Sequence, residues 1–540
     1  MKKQSLFLFA VLLSFTVVGQ NVGIGTITPA SKLHIKGSAD ATQLIIDANS
    51  TQSNIHPLIK LRKGNGTDLM WIHSDDTTNS FVGLNAGRVN NAAGGGKFNT
   101  FIGSRAGNSN TTGNSNTANG EEALFANTTG FNNTAIGIYA LFSNTTGYFN
   151  TGNGQGALYS ITTGTDNTAN GVNALASNTT GYYNTANGEG ALFYNISGNS
   201  NTANGRDALY SNTTGINNVA NGYEALYANT TGNSNTANGT VALFNNTTGI
   251  FNTANGLDAL NRNTTGGYNT ANGVDALFYN VSGYYNTAIG VSALLNTRAS
   301  QYNTAIGYNA GANYDNGYNN VFLGANTDVN GPGYYNCIAI GQDVTCTNSS
   351  QVLMGNSSTG QYFAYANWTD ISDGRYKKNM REDVPGLSFI NKLRPVTYTL
   401  DATGLDNFLH KNQSKEKKMS VAGRAATDKA LKEKERIIYT GFVAQDVEKA
   451  AKETGYDFSG VDAPKNGNDL YGLRYAEFVV PLVKAVQEQQ KIIEDQNRKI
   501  DHQQRQINQL QQTETQKSMI EELKSQNAEM LKRIEALEKK

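Results

Sequence analysis

Cysteine and histidine are scarce in this sequence, which holds two cysteines and five histidines among 540 residues. Cys337 and Cys346 are too few for a disulfide scaffold or a cysteine-based zinc site. The histidines are scattered, without the spacing of metal ligands. We therefore expect no metal and no cofactor. The two cysteines could form one bridge in an oxidising compartment or remain two free buried thiols, and the sequence leaves both options open.

An excess of charge of either sign is also absent, since 43 Lys and Arg residues balance 43 Asp and Glu residues. No global field favours nucleic acid or an anionic surface, so nucleic acid is not an expected partner. The balance conceals an asymmetry. The middle of the chain has few charges and is rich in Asn, Thr and Gly, whereas the C-terminal third is dense in Lys, Glu and Gln.

Long apolar runs are missing as well, and the nearest approach to one lies at the N-terminus. Lys2 and Lys3 precede an apolar stretch over residues 6–18. The stretch ends in small residues, and we predict cleavage between Gly19 and Gln20. This is the pattern of a secretory signal peptide over residues 1–19, and it is too short for a stable membrane anchor. We expect an exported protein, secreted or at the cell surface, with no transmembrane segment.

Residues 20–78 form a separate N-terminal piece. A Gly-x-Gly stretch at 21–26 is followed by the alternating residues 33–35, which predicts a β-rich segment of strand and turn. No third glycine or following helix completes a dinucleotide-binding fingerprint. This opening resembles the N-termini of exported tail-fibre-like bacterial proteins.

Residues 79–355 contain a repeat with a period of 17, and its unit reads N-T-A-N/I-G-x-x-A-L-F/Y-x-N-T-T-G-x-x. A strict period of this kind indicates stacked, identical units. Gly at the fifth and fifteenth positions marks two turns, and Thr, Asn and aromatic residues fill the segments between them. We predict a mainly β fold, a parallel β-roll or solenoid with two short strands per coil. The unit begins at Asn99, Asn116, Asn133, Asn150, Asn167, Asn184, Asn201, Asn218, Asn235, Asn252, Asn269, Asn286, Asn303 and Asn320.

One leucine keeps its register along the repeat. Neighbouring residues of a strand point to opposite faces, so if Leu141 faces inward, Phe142 faces outward. A column of outward aromatic side chains would be an exposed apolar stripe on a single chain and an interface in a homotrimer. The repeat also resembles the heads of trimeric autotransporter adhesins, most closely at residues 133–137 and 303–307. That resemblance implies the general architecture only.

The repeat could also bind a ligand. Columns of Thr on a flat face could order water, as on ice-binding solenoids, and the alternative is a purely structural ladder of Asn and Thr. A surface glycan or another host or cell-surface ligand is a further candidate partner. Calcium is disfavoured, because the coils lack the regular aspartates of calcium-binding β-rolls.

Beyond the repeat, residues 356–371 form a connector in which Gln361–Tyr365 and Trp368 predict a strand. Residues 372–485 have the composition of a small α+β domain. Residues 401–435 are polar, Lys-rich and without a clear period, so we expect an exposed loop there. We expect helices over 387–393 and 444–453, strands over 396–400, 437–442 and 470–475, and a helix from about 476 that continues into the tail.

Four ordered blocks lie between residues 372 and 486. They read S-D-G-R-Y-K-K-N-M, L-R-P-V-T-Y, G-F-V-A-Q-D-V-E and Y-A-E-F-V-V-P-L-V-K-A-V. In this order they resemble the intramolecular chaperone auto-processing family of phage tail spikes and endosialidases. The resemblance implies a trimeric chaperone domain over 372–485 that helps the preceding fibre to fold and then releases itself by one self-cleavage.

The first block carries the candidate site. By the resemblance, Ser372 matches the family's nucleophile and Lys377 its base, and the cleaved bond joins Ile371 to Ser372. Asp373 and Arg375 match supporting positions of the motif.

A serine and a lysine can act as nucleophile and base. Lys377 must be neutral to accept a proton, and burial in a trimer would favour the neutral amine. Cutting would then depend on assembly. Lys378 is a second amine, which leaves the choice of base open. Residues i and i+5 lie about 140° apart around a helix, so we expect the Ser372–Lys377 pair on a turn or a strand.

Residues 486–540 carry an apolar heptad with polar layers of Gln and Asn, interrupted near Thr513–Thr515. The pattern predicts a coiled coil in two pieces, and Gln layers beside Ile layers suit three strands, with two strands as the alternative. The apolar heptad positions are Val486, Ile493, Ile500, Ile507 and Leu510, and then Ile520, Leu523, Met530, Ile534 and Leu537.

These features together predict an exported homotrimeric fibre or adhesin-like surface protein with a C-terminal assembly chaperone. Its peptidase activity would be a single turnover of the Ser372/Lys377 dyad on its own chain, and no external substrate is expected. One alternative is a structural fibre whose chaperone does not cut. Another is a repeat protein that binds glycan or ice.

Overall fold

The computed structural model describes most of the chain, in two compact units, Met1–Thr214 and Gly215–Lys540. The predicted signal peptide, residues 1–19, and Trp368 lie outside the described residues. Within the described ranges, no helix combines the length and apolar character needed to cross a membrane. The described residues are 22–24, 33–35, 44–47, 54–313, 315–363, 365, 369–409, 421–467 and 469–539.

The N-terminal part of the first unit is built from strands, as the sequence predicts. β1 (Val22–Ile24) pairs in parallel with β2 (Leu33–Ile35). β3 (Ile59–Arg62) pairs antiparallel with β4 (Asp68–His73), which pairs antiparallel with β5 (Ser80–Val82). β5 then pairs in parallel with the first strand of the repeat, so the parallel ladder begins there.

The repeat folds as a β-solenoid with 17-residue coils, which confirms the predicted fold class. Each coil contributes one short strand, and equivalent residues of successive coils pair in register, as Ala118 does with Ala135. The middle residue of each strand is buried, and Thr and Asn flank it on the outer face. In the first unit the strands are β6 (Thr100–Ile102), β7 (Thr117–Asn119), β8 (Thr134–Ile136), β9 (Thr151–Asn153), β10 (Thr168–Asn170), β11 (Thr185–Asn187) and β12 (Thr202–Asn204).

The second unit continues the same type of coil. Near its end a second, shorter strand pair appears, between β20 (Asp328–Val329) and β22 (Thr345–Cys346). The main ladder of this unit comprises β13 (Val219–Asn221), β14 (Thr236–Asn238), β15 (Thr253–Asn255), β16 (Thr270–Asn272), β17 (Thr287–Ile289), β18 (Thr304–Ile306), β19 (Val321–Leu323), β21 (Ile338–Ile340) and β23 (Val352–Met354).

The prediction of two strands per coil is wrong for most of the repeat. Ala140 and Leu141 are consecutive and both fully buried, which a strand does not permit because its side chains alternate between faces. Leu141 instead has a φ of 51°, in the left-handed region. That conformation costs about 1–2 kcal/mol, whereas burying a leucine contributes about 1.5–3 kcal/mol. Burial therefore offsets the strained backbone.

The outward orientation of the aromatic residue after this leucine is confirmed. Phe142 is partly exposed, and its ring stacks on Phe125 and Tyr159 of the adjacent coils with centroids 5.1 Å apart. The rings thus shield one another along the column. Parallel rings at the coil spacing contribute packing that no single coil could make.

The two glycine turns predicted in each coil both require glycine because neighbouring coils approach closely. A Cβ would lie 2.5 Å from the carbonyl oxygen of Gly154 at Gly137, and 2.5 Å from that of Gly164 at Gly147. Gly137 also has a φ of 128°, a conformation that side chains strongly disfavour. The first turn therefore has a second reason to contain glycine, its backbone conformation.

Buried asparagines connect each coil to the next. The side-chain oxygen of Asn116 accepts a hydrogen bond from the backbone N–H of Asn133 at 3.0 Å, and the side-chain amide of Asn133 donates to the carbonyl of Gly147 at 2.9 Å. The same pattern recurs at the first position of the following coils. These amides satisfy backbone groups that would otherwise be buried without partners.

A second asparagine ladder, at the twelfth position of the coil, is interrupted. Asn144 donates to Asn127 at 2.7 Å, but the next coil has Ile161 at this position. The buried side-chain oxygen of Asn144 therefore has no hydrogen-bond partner among the described residues. The same occurs at the other end of the ladder, where Thr297 follows and the oxygen of Asn280 is unpaired among those residues.

Replacing Ile161 by Asn should complete this ladder. We expect the Ile161→Asn chain to resist urea at least as well as the unchanged chain, because the new amide supplies the donor that Asn144 lacks and an unpaired buried group costs about 1–3 kcal/mol. Ile161→Ala is the matched control, and it should lose about 2–5 kcal/mol. Equal losses for the two variants in urea unfolding would contradict the ladder.

The C-terminal part of the second unit is a small α/β region. β24 (Val396–Thr399) pairs antiparallel with β25 (Ile438–Gly441), and β26 (Val461–Asp462) with β27 (Gly472–Leu473). Its buried core comprises Phe389, Val447, Ala450, Ala451, Phe458 and Phe478. The helices are α1 (Leu387–Ile390), α2 (Ala402–Leu409), α3 (Val421–Lys434), α4 (Ala444–Glu453) and α5 (Val479–Glu538), with 3-10 turns at Gly374–Tyr376 and Tyr475–Phe478.

Two local predictions in this region are wrong. The expected loop over 401–435 contains α2 and α3, although residues 410–420 lie outside the described ranges. Ala, Leu, Lys and Glu are strong helix formers, and a weak apolar period does not prevent a helix that packs through only a few residues. The expected strand at Gln361–Tyr365 is also absent from its described residues 361–363 and 365, which have no regular structure.

α5 is a single helix of 60 residues. The predicted break near Thr513–Thr515 is wrong for the backbone, because both threonine hydroxyls donate to carbonyls one turn earlier, at 2.8 Å, within an unbroken helix. Its apolar heptad positions are exposed, with Val486 at 57%, Ile500 at 59% and Leu523 at 57%. The stripe has no cover within the described chain, which is consistent with a coiled coil.

Candidate functional site

The candidate site lies on a short turn between the solenoid and the C-terminal α/β region. Residues Gly374–Tyr376 form one turn of 3-10 helix, and Asp373 caps it by accepting a hydrogen bond from the backbone N–H of Arg375 at 2.9 Å. The backbone N–H of Lys377 closes the turn on the carbonyl of Gly374 at 3.2 Å. A glycine and a capping aspartate favour this conformation locally.

This turn brings the two predicted catalytic side chains together. The Nζ atom of Lys377 lies 2.7 Å from the Oγ atom of Ser372 and donates a hydrogen bond to it. The pair sits across a tight turn and not on an α-helix, as its spacing indicated. Within the described chain, Lys378 makes no hydrogen bond with Ser372.

Asp373 and Arg375 stabilise the turn through hydrogen bonds between their side chains. The guanidinium of Arg375 donates to one oxygen of Asp373 through Nε at 2.9 Å and Nη2 at 2.5 Å. These hydrogen bonds lower the pKa of the Asp373 carboxyl below its usual value. The carboxylate and guanidinium neutralise each other, so their contribution is to shape the turn that carries Ser372 and Lys377.

The single chain leaves this site open to water. Ser372 and Lys377 are both exposed, and so are the large apolar neighbours Ile371, Tyr376 and Met380, at 95%, 78% and 78%. An exposed amine is stabilised in its charged form by water. The geometry of a nucleophile and base is therefore present, whereas the dry surroundings that favour a neutral lysine are not supplied by this chain alone.

The other chemically active side chains lie apart from this site. Cys337 and Cys346 are both buried free thiols in the last coils of the solenoid. A hydrogen bond from Cys346 lowers the pKa of Cys337. Among the described residues, no group of three or more His, Cys, Asp or Glu side chains is placed to hold a metal ion.

Three charged residues that the sequence pattern did not single out contact the end of the solenoid or the first residues of the connector. They are Asp406 on α2, Lys434 on α3 and Asp469 in the loop before β27. Two of them fall in the stretch expected to be a loop. The helix-forming composition of residues 421–434 could have indicated α3. No repeating pattern in the sequence indicates which residues these three side chains contact.

Behind the site, α1 and α5 are joined by a contact distant in sequence. The carboxylate of Glu488 accepts a hydrogen bond from the backbone N–H of Leu387 at 2.8 Å. It satisfies a free N–H at the start of α1 and places a negative charge at a helix N-terminus, where it is favourable. The site is thus connected through residues 378–386 to a packed region that includes the base of the long helix.

The comparison with curated proteins gives no match for this chain. A family model does match its C-terminal part, over residues 372–456, so that the match begins at Ser372. It includes the turn with Lys377, α1 to α4, and the antiparallel pair of β24 and β25. The model is that of the family described as chaperone of endosialidase, and residues 372–456 are similar to it.

Proposed function

We propose that this protein is an exported homotrimeric fibre whose C-terminal domain assists assembly and then cuts the chain once, between Ile371 and Ser372. The chaperone domain and the β-solenoid together give the chain a tail-fibre-like architecture. The observation that carries the proposal is the 2.7 Å contact between Lys377 Nζ and Ser372 Oγ, at the first residue of the family match.

The proposed chemistry uses the hydroxyl next to the bond that breaks. With neutral Lys377 accepting its proton, Ser372 Oγ attacks the carbonyl carbon of Ile371. The C–N bond breaks, the proton passes to the nitrogen of Ser372, and an ester links Ile371 to Ser372 Oγ. Water then hydrolyses the ester, leaving a carboxylate on Ile371 and a free amine and hydroxyl on Ser372. The distance of 2.7 Å between Lys377 Nζ and Ser372 Oγ suits a hydrogen bond whichever of the two groups is the donor.

Assembly would control this reaction through desolvation. Ile371, Tyr376 and Met380 are close to the dyad in sequence and expose apolar surface, which two further chains could cover in a trimer. Covering it would withdraw the lysine amine from water and favour its neutral form. The monomer would remain uncut, and cleavage would mark fibres that have assembled.

The trimer is proposed from the exposed stripe of α5. Long apolar stripes with a seven-residue period are covered by partner helices, and layers of Gln beside Ile suit three strands. The family match is associated with self-association of this type. The aromatic columns of the solenoid offer a second surface along which three chains could pack.

Export is proposed from residues 1–19 and from the nature of the match, which suggests an extracellular or phage-tail protein. Secretion or display at the cell surface follows from that proposal. A surface glycan or a host or cell-surface molecule is the partner that such a fibre would contact.

A second candidate function is that of a fibre whose chaperone assembles but does not cut. The exposure of both dyad side chains favours this second function. Water stabilises the charged form of an exposed amine, and an ammonium group cannot accept the proton of a hydroxyl. The two candidates differ in one observable, the appearance of a new amino terminus at Ser372.

Removal of either dyad side chain should stop cleavage. We expect the exported chain to yield a fragment that starts at Ser372, and expect Ser372→Ala and Lys377→Ala to slow its appearance by about 10²- to 10⁴-fold. Denaturing gels and intact-mass measurement follow both fragments. Ser518→Ala and Lys378→Ala are the matched controls and should cut normally.

Two outcomes would change this assignment. If Lys378→Ala blocks cutting and Lys377→Ala does not, Lys378 is the base. If the unchanged chain stays intact while it is trimeric, the domain assembles without cutting and the second candidate function holds.

The coiled coil should be required for both trimerisation and cleavage. We expect Ile507→Asp to abolish the trimer and to slow cutting strongly, because it places a charge in the apolar stripe. Gln512→Asp adds the same group on the opposite side of the helix and should change neither. Light scattering after size exclusion gives the mass. A monomeric Ile507→Asp chain that still cuts at the normal rate would refute the dependence of cutting on assembly.

A further inference from the structure

The proposed cleavage point separates two groups of residues that touch each other. On its N-terminal side are residues 347–359, which comprise the end of the solenoid and the first residues of the connector. On its C-terminal side are α2, α3 and the loop before β27, within residues 402–469. Several hydrogen bonds join these groups across 49 to 122 residues of sequence.

The first set of contacts is made by α2 and α3. The hydroxyl of Ser357 donates to Oδ1 of Asp406 at 2.7 Å, and both side chains are nearly inaccessible, at 6% and 3% exposed. Arg424 of α3 lies 3.7 Å from the other oxygen of Asp406. The partners of this buried carboxylate thus include Ser357 from the N-terminal side of the cleavage point and Arg424 from the C-terminal domain.

Lys434 makes the second contact of this set. Its Nζ atom donates to the carbonyl oxygens of Ser357 and Thr359, at 2.8 and 3.0 Å. Lys434 is partly buried, and burial lowers the pKa of its amine. Hydrogen bonds from a charged donor are stronger than those between neutral groups.

The second set is made by the loop before β27. The hydroxyl of Thr347, which follows β22 and is buried, donates to Oδ1 of Asp469 at 2.8 Å. Asp469 also accepts from its own loop, through the backbone N–H of Lys465 and of Leu470. These hydrogen bonds hold the carboxylate of Asp469 within its loop, where Oδ1 accepts the hydrogen bond from Thr347.

We propose that Asp406, Lys434 and Asp469 form a clasp that keeps the C-terminal domain seated on the last coil of the solenoid and the first residues of the connector after the chain is cut. The clasp's partner is residues 347–359 of the fibre itself. This inference rests on the proposed function, because it concerns the state of the two fragments after the cut at Ser372. Breaking the Ile371–Ser372 bond removes none of these hydrogen bonds, so all of them remain to hold the two fragments together.

With the clasp in place, the product of cleavage is a non-covalent complex of the two fragments. Cutting removes the covalent link but leaves a domain that covers the final turns of the fibre, so cleavage and release are separate events. Release would need a competing interaction or a condition that weakens polar contacts. The region expected from the sequence to be a loop thus has a specific role, since α2 and α3 supply two of the three charged side chains.

The test uses the full exported chain with Ser372→Ala and a recognition sequence for a site-specific protease inserted between Thr369 and Asp370. The added protease makes the cut, so the result does not depend on the Ser372/Lys377 chemistry. After cutting, size exclusion shows whether the two fragments travel together. We expect them to coelute at micromolar concentration, and their separation on cutting would overturn the clasp.

Variants of the clasp give the second readout. Asp406→Asn combined with Lys434→Ala should raise the separated fraction at least tenfold, and Ser357→Ala should raise it in the same direction from the fibre side, outside the folded domain. Lys392→Ala is the matched control, because it removes a 2.7 Å ion pair with Glu453 inside the domain, and it should leave the fragments together. Clasp variants that coelute like the control would refute the proposal.

The outcomes for the clasp and for self-cleavage are distinguishable. If a chain with native Ser372 is never cut, the proposed self-cleavage is refuted. The sample cut by the added protease still shows whether the two fragments stay together. Circular dichroism of each variant checks that α2 and α3 are retained. If Asp406→Asn unfolds the domain, Ser357→Ala alone decides the question.

Discussion

Hydrogen bonding between buried amides at a separation of 17 residues is the constraint on which the solenoid depends. The backbone N–H of Asn133 donates to the side-chain oxygen of Asn116, and the side-chain oxygen of Asn133 accepts from the backbone N–H of Asn150. Each asparagine therefore has its partners only if both neighbouring coils have the same length. A coil one residue longer would leave buried polar groups unpaired, at about 1–3 kcal/mol each. The strict period of the sequence is a consequence of this pairing.

The narrow core explains why polar groups carry so much of the structure. Its apolar content per coil is mainly two alanines and one leucine, such as Ala135, Ala140 and Leu141. To place Ala140 and Leu141 inward together, the chain adopts a left-handed conformation at the leucine. The aromatic rings then stack on the outside of the coil. Neighbouring coils therefore stabilise one another, and the last coils need a different partner, which the C-terminal domain provides.

The candidate site combines a local and a non-local requirement. The contact of Ser372 with Lys377 arises within six residues, from a turn that Asp373 caps and Arg375 supports. The surroundings of that contact are not fixed locally, because the apolar neighbours of the dyad face water in a single chain. The local turn therefore accounts for the contact itself, whereas the proposed cleavage depends on other chains covering the site.

The sequence by itself determined the coil length, the buried leucine, the outward aromatic residue, the turn at Ser372 and the long C-terminal helix, because each depends on a short or repeating pattern. Only the tertiary structure decided that the Ala140–Leu141 segment is not a strand, that residues 402–409 and 421–434 are helical, and that α5 is continuous through Thr513. It also decided the partners of Asp406 and Lys434. Those contacts join residues 49 to 77 positions apart and occur once, so no period reveals them, and their burial depends on two surfaces that meet only after folding.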